Sequence, residues 1–234
     1  DAGVRGTLAR ESDLVLGRGI HAQQAGRVEL SRVAIEENRD AGVFVGQANT
    51  LAVLRDVVVR ATAPREVDGY SGQGLTAQVG ARLEATRVRI EGNRQYGVLV
   101  VGTGSTVLLE DALVRDTLPS EATDGEGFGV VATTHGSVEA TRTVLVGNRT
   151  AGLMATGAGT TVMLADGRIL GTAVRASDGA FGYGLDVSGG AAVELRRAVL
   201  EGNRRVGILA GGAATTVDAE DVVVRGTLLG DGPL

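Results

Sequence analysis

Cysteine, lysine and tryptophan are all missing from this chain of 234 residues. Without cysteine there is no disulfide framework and no thiolate metal site. Aromatic side chains make up only 3% of the chain, too few for a helical bundle built on large knobs. With no lysine, all 23 basic residues are arginine, a bias that suggests a GC-rich genome and says little about chemistry. No stretch approaches the roughly 18 apolar residues of a membrane span, and no signal-peptide pattern is visible. The net charge of -5 argues against nonspecific binding to nucleic acid or to anionic membranes.

What the chain has in quantity is glycine, 37 residues of it, with many Val, Leu and Ala, a composition suited to stacked β structure. It also repeats itself. Glu91-Gly92-Asn93-Arg94 returns as Glu201-Gly202-Asn203-Arg204, with variants at Glu36-Glu37-Asn38-Arg39 and Val146-Gly147-Asn148-Arg149, always 55 residues apart. Gly19, Gly74, Gly129 and Gly184 mark one phase of this unit, and Gly42, Gly97, Gly152 and Gly207 another. The unit therefore divides into segments of 23 and 32 residues, each with three short runs of period-2 alternation separated by Gly-rich or polar corners. Three strands per segment without a helical pattern predict an all-β, right-handed parallel β-helix over residues 1–234. About eight three-strand coils and a partial N-terminal coil would form four coil pairs. In the second pair, Leu75, Ala77, Leu83, Ala85, Val88 and Ile90 should point inward, with Val98, Val100, Val107, Leu109, Ala112 and Val114 on the next coil.

Two outward columns test that register. At the corner between second and third strands, successive coils carry Asp1, Arg32, Asp56, Arg87, Asp111, Arg142, Asp166, Arg197 and Asp221, alternating in sign at every step. Along the third strand runs Arg5, Glu36, Arg60, Glu91, Arg115, Val146, Leu170, Glu201, Arg225; where the acid becomes valine, its neighbour becomes leucine. Arg87 is thus expected between Asp56 and Asp111, and Glu91 between Arg60 and Arg115. The four repeated Asn residues fall where the third strand ends, and a left-handed corner conformation with local hydrogen bonds is expected for them.

These coil phrases, Gly-Asn-Arg-x-x-Gly-[Val/Ile/Leu] and [Leu/Ala/Val]-x-[Asp/Glu]-Asp-x-x-Val, resemble those of the right-handed parallel β-helix proteins, the superfold of pectate lyases, polygalacturonases, phage tailspikes and bacterial surface proteins. They also look like the paired-coil repeats of large secreted or surface-anchored proteins of myxobacterial type. The resemblance implies the fold, an extracellular or cell-surface location, and an association with polysaccharides that members of the superfold often bind or cleave.

In enzymes of that kind the active groups project from the outer face of the first strand. Here that column reads His21, Phe44, Thr76, Leu99, Val131, Met154, Asp186, Leu209. A hydrolase needs two carboxylates about 5–10 Å apart, and the column holds one. His21 and Asp186 are six coils apart, roughly 29 Å at the strand spacing. His135, in Thr134-His135-Gly136, has no acid beside it in sequence and reads as a corner residue. On the second strand, Glu194 and Asp218 are neighbouring acids that could attract a cation or raise one pKa, unless Arg196 screens them. Asp13, Asp68, Asp124 and Asp178 recur in the corner loops of the long segments, and Asp-Gly is first a turn signal. No catalytic residue, metal ligand or cofactor is therefore assigned.

The expected function is a non-enzymatic secreted or cell-surface scaffold or adhesion module of bacterial type. The alternative is a polysaccharide-active lyase or hydrolase, or its carbohydrate-binding portion. A glycan or protein is the expected partner. No amphipathic helix marks either terminus, so the chain is expected to be a segment of a longer protein, or its ends to stack on further coils or partners. Phe44, Leu99, Met154 and Leu209 form a candidate outer ridge, with Val58, Leu113 and Val223 apolar on the third strand. Either the corner loops, with Tyr70, Phe128, Phe181 and Tyr183 near their ends, cover that ridge, or it is an open docking surface. Loop cover is the favoured reading, because each long coil supplies both a ridge residue and a nearby loop.

Overall fold

A computed structural model describes residues 2–229. Among them, strands of successive coils build three parallel sheets of eight, eight and nine strands, without a helix. The second pair runs Gln73–Gln78, Arg82–Thr86 and Arg89–Glu91, then Tyr96–Val101, Thr106–Glu110 and Leu113–Arg115. Val98 lies on Leu75, Leu109 on Ala85 and Val114 on Ile90. The ninth strand of the third sheet, Ala2–Arg5, is the partial N-terminal coil, paired to Val33–Glu36. All twelve predicted inward residues of this pair are buried. Each fully buried Leu or Ile contributes roughly 1.5–3 kcal/mol, so a coil is stabilised mainly by the coils on either side of it.

The corner between second and third strands is one residue in the left-handed region. Arg32, Asp56, Arg87, Asp111, Arg142, Asp166, Arg197 and Asp221 all have φ between 48 and 56°. That conformation costs a non-glycine residue about 1–2 kcal/mol. It is offset because the corner N–H continues the ladder to the next coil, as in Arg87 N–H to the Glu110 carbonyl (2.9 Å) and Asp111 N–H to the Thr141 carbonyl (3.1 Å). The side chains stack as the alternating signs predict, but the pairing is one-sided. Arg87 makes two hydrogen bonds to Asp56 (2.7 and 2.8 Å), while Asp111 is taken by Arg142 at 2.6 Å. Arg197 likewise binds Asp166 at 2.6 Å. Asp1, the expected first member of the column, lies outside the described residues.

The third-strand column also falls in register, with Glu91 between Arg60 and Arg115 and Val146 against Leu170. Its ion pairs differ in detail. Arg60 turns to Glu36 at 2.6 Å, and Glu91 is held by Arg115 at 3.2 Å and by Arg89, two residues back on its own strand, at 2.8 Å. The bond from Arg89 holds the Glu91 carboxyl below its usual range. Exposed pairs of this kind contribute only about 0–1 kcal/mol each. Their larger effect is on register, since a slip of one coil would set like charges together.

The four Asn residues depart from expectation. None is left-handed; those conformations fall on the residue before (Glu37, Gly92, Gly147, Gly202) and two after (Asp40, Gln95, Thr150, Arg205). The Asn side chains are buried instead, and they bond across coils rather than locally. Asn148 Nδ2 donates to the Val114 carbonyl (3.1 Å), and its Oδ1 accepts from the Thr117 N–H (3.2 Å) and hydroxyl (2.8 Å). Asn38, Asn93 and Asn203 repeat the amide part of this clasp on Val4 and Thr7, Val59 and Thr62, and Ile169 and Thr172. The arginine that follows reaches the other way. Arg39 and Arg94 donate to the Pro64 and Pro119 carbonyls of the next corner loop and pair with Glu66 and Glu121 there, each at 2.9 Å.

Candidate functional site

The outer face of the first sheet is flanked by the corner loops that precede its short-coil strands. Three of these loops share one local design. In each, an Asp side chain accepts from the N–H two residues on, as Asp68 does from Tyr70 at 3.0 Å, and is gripped by an Arg three residues back. Asp13 pairs in this way with Arg10, and Asp178 with Arg175, whose bond holds the Asp178 carboxyl down at about 2. The remaining loop, third of the four in chain order, differs. The equivalent position is Thr123, not Asp124, and it caps Gly125 N–H at 3.2 Å, while Asp124 itself is left-handed with φ 51°. Asp124 is therefore one residue out of phase with the other three.

The ridge residues lie on alternate coils as the register requires, with Thr76, Val131 and Asp186 between them and His21 on the coil before Phe44. They differ in environment. Phe44 is buried, with the Arg18 guanidinium 3.6 Å over its ring and His21 edge-on at 4.8 Å. Leu99 and Met154 are half-buried, and Leu209 is 37% exposed. The loop-end aromatics mostly pack against other aromatic rings. Phe128 stacks on Tyr96 at 5.8 Å, and Phe181 packs on Tyr183 at 5.4 Å with Arg175 above it. Tyr70 alone stands beside Phe44 and Leu99, as part of the wall of a cleft.

That cleft, about 310 Å³, opens between the loop before Gln73 and the first-sheet face. On one side Arg18 and Asp40 form an ion pair at 2.6 Å, both largely shielded from solvent. Burial, and after it Arg18, push the His21 imidazole below its usual pKa. Gln73 and Gln78, from the two ends of one strand, converge with Gln95, from the turn just before the next coil's strand. These glutamines had not stood out in the sequence. The signal available was their departure from the repeat, since 55 residues on the same positions carry Phe128, Thr133 and Thr150.

The acids elsewhere are spoken for or isolated. Glu194 and Asp218 are neighbours, and Arg196 bridges them with 2.8 Å contacts to each. His135 occupies a turn, with φ 65° and its N–H on Thr160 Oγ1. Asp186 sits between Met154 and Leu209, and burial raises its carboxyl pKa. Ionising Asp186 therefore costs the folded state. Its contribution is harmless below the ordinary carboxylate pKa and becomes unfavourable as pH rises through the raised folded value. Asp186→Asn should raise thermal stability at pH 7 by an amount of about 0.5–1 kcal/mol, the usual size at a half-exposed position, and leave it unchanged near pH 3. Melting curves at the two pH values check this; an equal gain at both would mean that charge burial is not its cause.

No curated protein matches the sequence. A family model described as "Right handed beta helix region" matches residues 3–114. Among solved structures, the crystal structure of pectate lyase Pel9A aligns with a TM-score of 0.55 and 12% identity, over 84% of this chain and 61% of that one. At that identity the likeness concerns the fold alone, and the present chain spans about six tenths of the length of its structural neighbour.

Proposed function

We propose that this chain, a right-handed parallel β-helix repeat protein, is a non-enzymatic secreted or cell-surface segment that acts as a scaffold or adhesion module. The observation that carries this reading is the first-sheet face, whose central column offers a single carboxylate, Asp186, flanked by Met154 and Leu209. Glycoside hydrolysis needs two carboxyl groups flanking one bond. Many other charges are engaged in holding coils to coils: the corner column, the third-strand column and the arginines of the repeated phrase. Such a molecule is a stiff rod, suited to holding something at a distance from a surface.

The ends belong to the same proposal. On the last described coil Val223 and Val224 are 46% and 45% exposed, where Val59 and Val114, the equivalents of Val224, are fully buried. A further coil or a partner stacked there would cover them. Incubation with acidic and neutral polysaccharides, with and without Ca²⁺, should release neither reducing ends nor unsaturated products. Sustained turnover of any of them would overturn the scaffold reading.

A further inference from the structure

The outer face of the second sheet holds a feature that coil stacking does not account for. Along it runs the column Glu84, Leu108, Glu139, Met163 and Glu194, each residue in register with the next. In the first two coil pairs the glutamate of this column is held by an arginine two residues before it. Arg27 binds Glu29 and Arg82 binds Glu84, both at 2.7 Å. At the same place the third and fourth pairs carry Ser137 and Ala192. Glu194 recovers a partner in Arg196, which it shares with Asp218 and Glu220. Glu139 recovers none: it is exposed and makes no hydrogen bond or ion pair among the described residues. Two shallow grooves, of about 240 and 460 Å³, are both lined by Glu139. Leu108 lines the first and Met163 the second, each half-buried.

Coils stack about 4.8 Å apart, so Glu84, Glu139 and Glu194 stand about 10 Å apart along the rod, with Leu108 and Met163 midway. A polyproline II helix has three residues per turn at about 3.1 Å each, and so presents one face every ~9.3 Å. An extended strand would turn every third residue alternately toward and away from the surface. Seven residues of α-helix cover about 10.5 Å and fall out of step sooner. We propose that this face docks a proline-rich segment of a partner protein in the polyproline II conformation, with an arginine at every third residue. The central arginine takes Glu139, the one member of the three without a cation. Its neighbours reach Glu84 and Glu194, which bond their own arginines through Oε1 alone. The pyrrolidine rings between them lie on Leu108 and Met163. An acidic segment would be repelled, because Glu139, Glu194, Asp218 and Glu220 face the single guanidinium of Arg196. A wholly apolar segment would bury Glu139 without a partner. The inference goes beyond the scaffold reading and does not depend on it. Polysaccharide turnover on another face would overturn that reading and leave this one standing.

Fluorescence anisotropy of a labelled twelve-residue peptide of Arg-Pro-Pro triplets, titrated with the intact chain, tests this. A dissociation constant of about 10–100 µM is expected at about 50 mM salt, rising severalfold at about 300 mM because the ion pairs are exposed. Glu-Pro-Pro triplets should not bind. Arg-Gly-Gly triplets, equal in charge but without the preformed helix, should bind about fivefold more weakly or worse. Glu139→Gln and Met163→Ser should each weaken the Arg-Pro-Pro peptide by about fivefold or more at an unchanged melting temperature. Leu209→Ala, on the first sheet, should leave its binding unchanged. Sedimentation of the chain alone should give the same species with and without Glu139→Gln. No binding at about 1 mM, Arg-Gly-Gly triplets binding as tightly, or indifference to Glu139 and Met163 would overturn the proposal. So would self-association that Glu139→Gln abolishes, because it would put a second copy of the chain on this face.

Discussion

Asn148→Ala is expected to destabilise the chain by about 3–5 kcal/mol, although the residue touches no cleft and carries no charge. The side chain is 1% exposed and satisfies three groups on the preceding coil: the Val114 carbonyl, the Thr117 N–H and the Thr117 hydroxyl. Truncation leaves those groups without this partner where water does not reach, at roughly 1–3 kcal/mol for each that finds no other. The hydroxyl can rotate, so the carbonyl and the N–H dominate. Thr117→Val separates the contributions. It removes only the hydroxyl and keeps the N–H bond to Oδ1, so it should cost less than about 1.5 kcal/mol. Urea unfolding of the two variants measures both; an Asn148→Ala cost below that of Thr117→Val would mean that the clasp does not hold the coils. The same truncation at Asn93 should behave alike, because its bonds to Val59 and Thr62 have the same geometry.

The repeated phrase can now be assigned function by function. Asn reaches back one coil, Arg reaches forward to the next corner loop, and the residue before Asn makes the turn. Why one chain says nearly the same thing every 55 residues is that each pair of coils must be tied to both of its neighbours. The stacking of coils was legible beforehand, because period-2 alternation and a fixed repeat length determine which residue lies over which. Leu75, Leu83 and Ile90 follow from that alone, as does the coupled change at Val146 and Leu170.

What the repeat could not specify was direction. An arginine between two aspartates can bind either, and here Arg87 prefers Asp56 because its side chain leans toward the preceding coil. Periodicity likewise does not say which of several corner residues takes the left-handed conformation. Asn is a common choice in isolated turns, but Asn38 and its equivalents give their side chains to the interior, and the strain falls on Glu37 and Asp40. The cleft was least legible. Gln73 and Gln78 share one strand, and Gln95 joins them only when it is seen beside the loop at Ser71.

The second large effect is expected at Gly97, where alanine should cost more than about 3 kcal/mol or prevent folding. Eight glycines recur at the entry to the first strand, Gly97 and Gly129 among them, and none has a positive φ, so backbone freedom is not their reason. Close approach is. A Cβ at Gly97 would lie 2.4 Å from Val114 Cγ1 and 2.6 Å from the Gly129 carbonyl oxygen of the next coil. The valine methyl could shift at the cost of overpacking, about 1–3 kcal/mol. The carbonyl belongs to the backbone of the next coil and cannot retreat without separating the two coils. Two further variants distinguish these contributions. Gly97→Ala combined with Val114→Ala should recover only part of the loss, since the carbonyl contact remains. Gly211→Ala, at a first-strand position where a Cβ meets nothing within 4 Å, should change stability by less than about 0.5 kcal/mol. Full recovery in the double variant would place the strain on the valine alone, and an equal loss at Gly211 would return the explanation to strand propensity and away from the distance between coils.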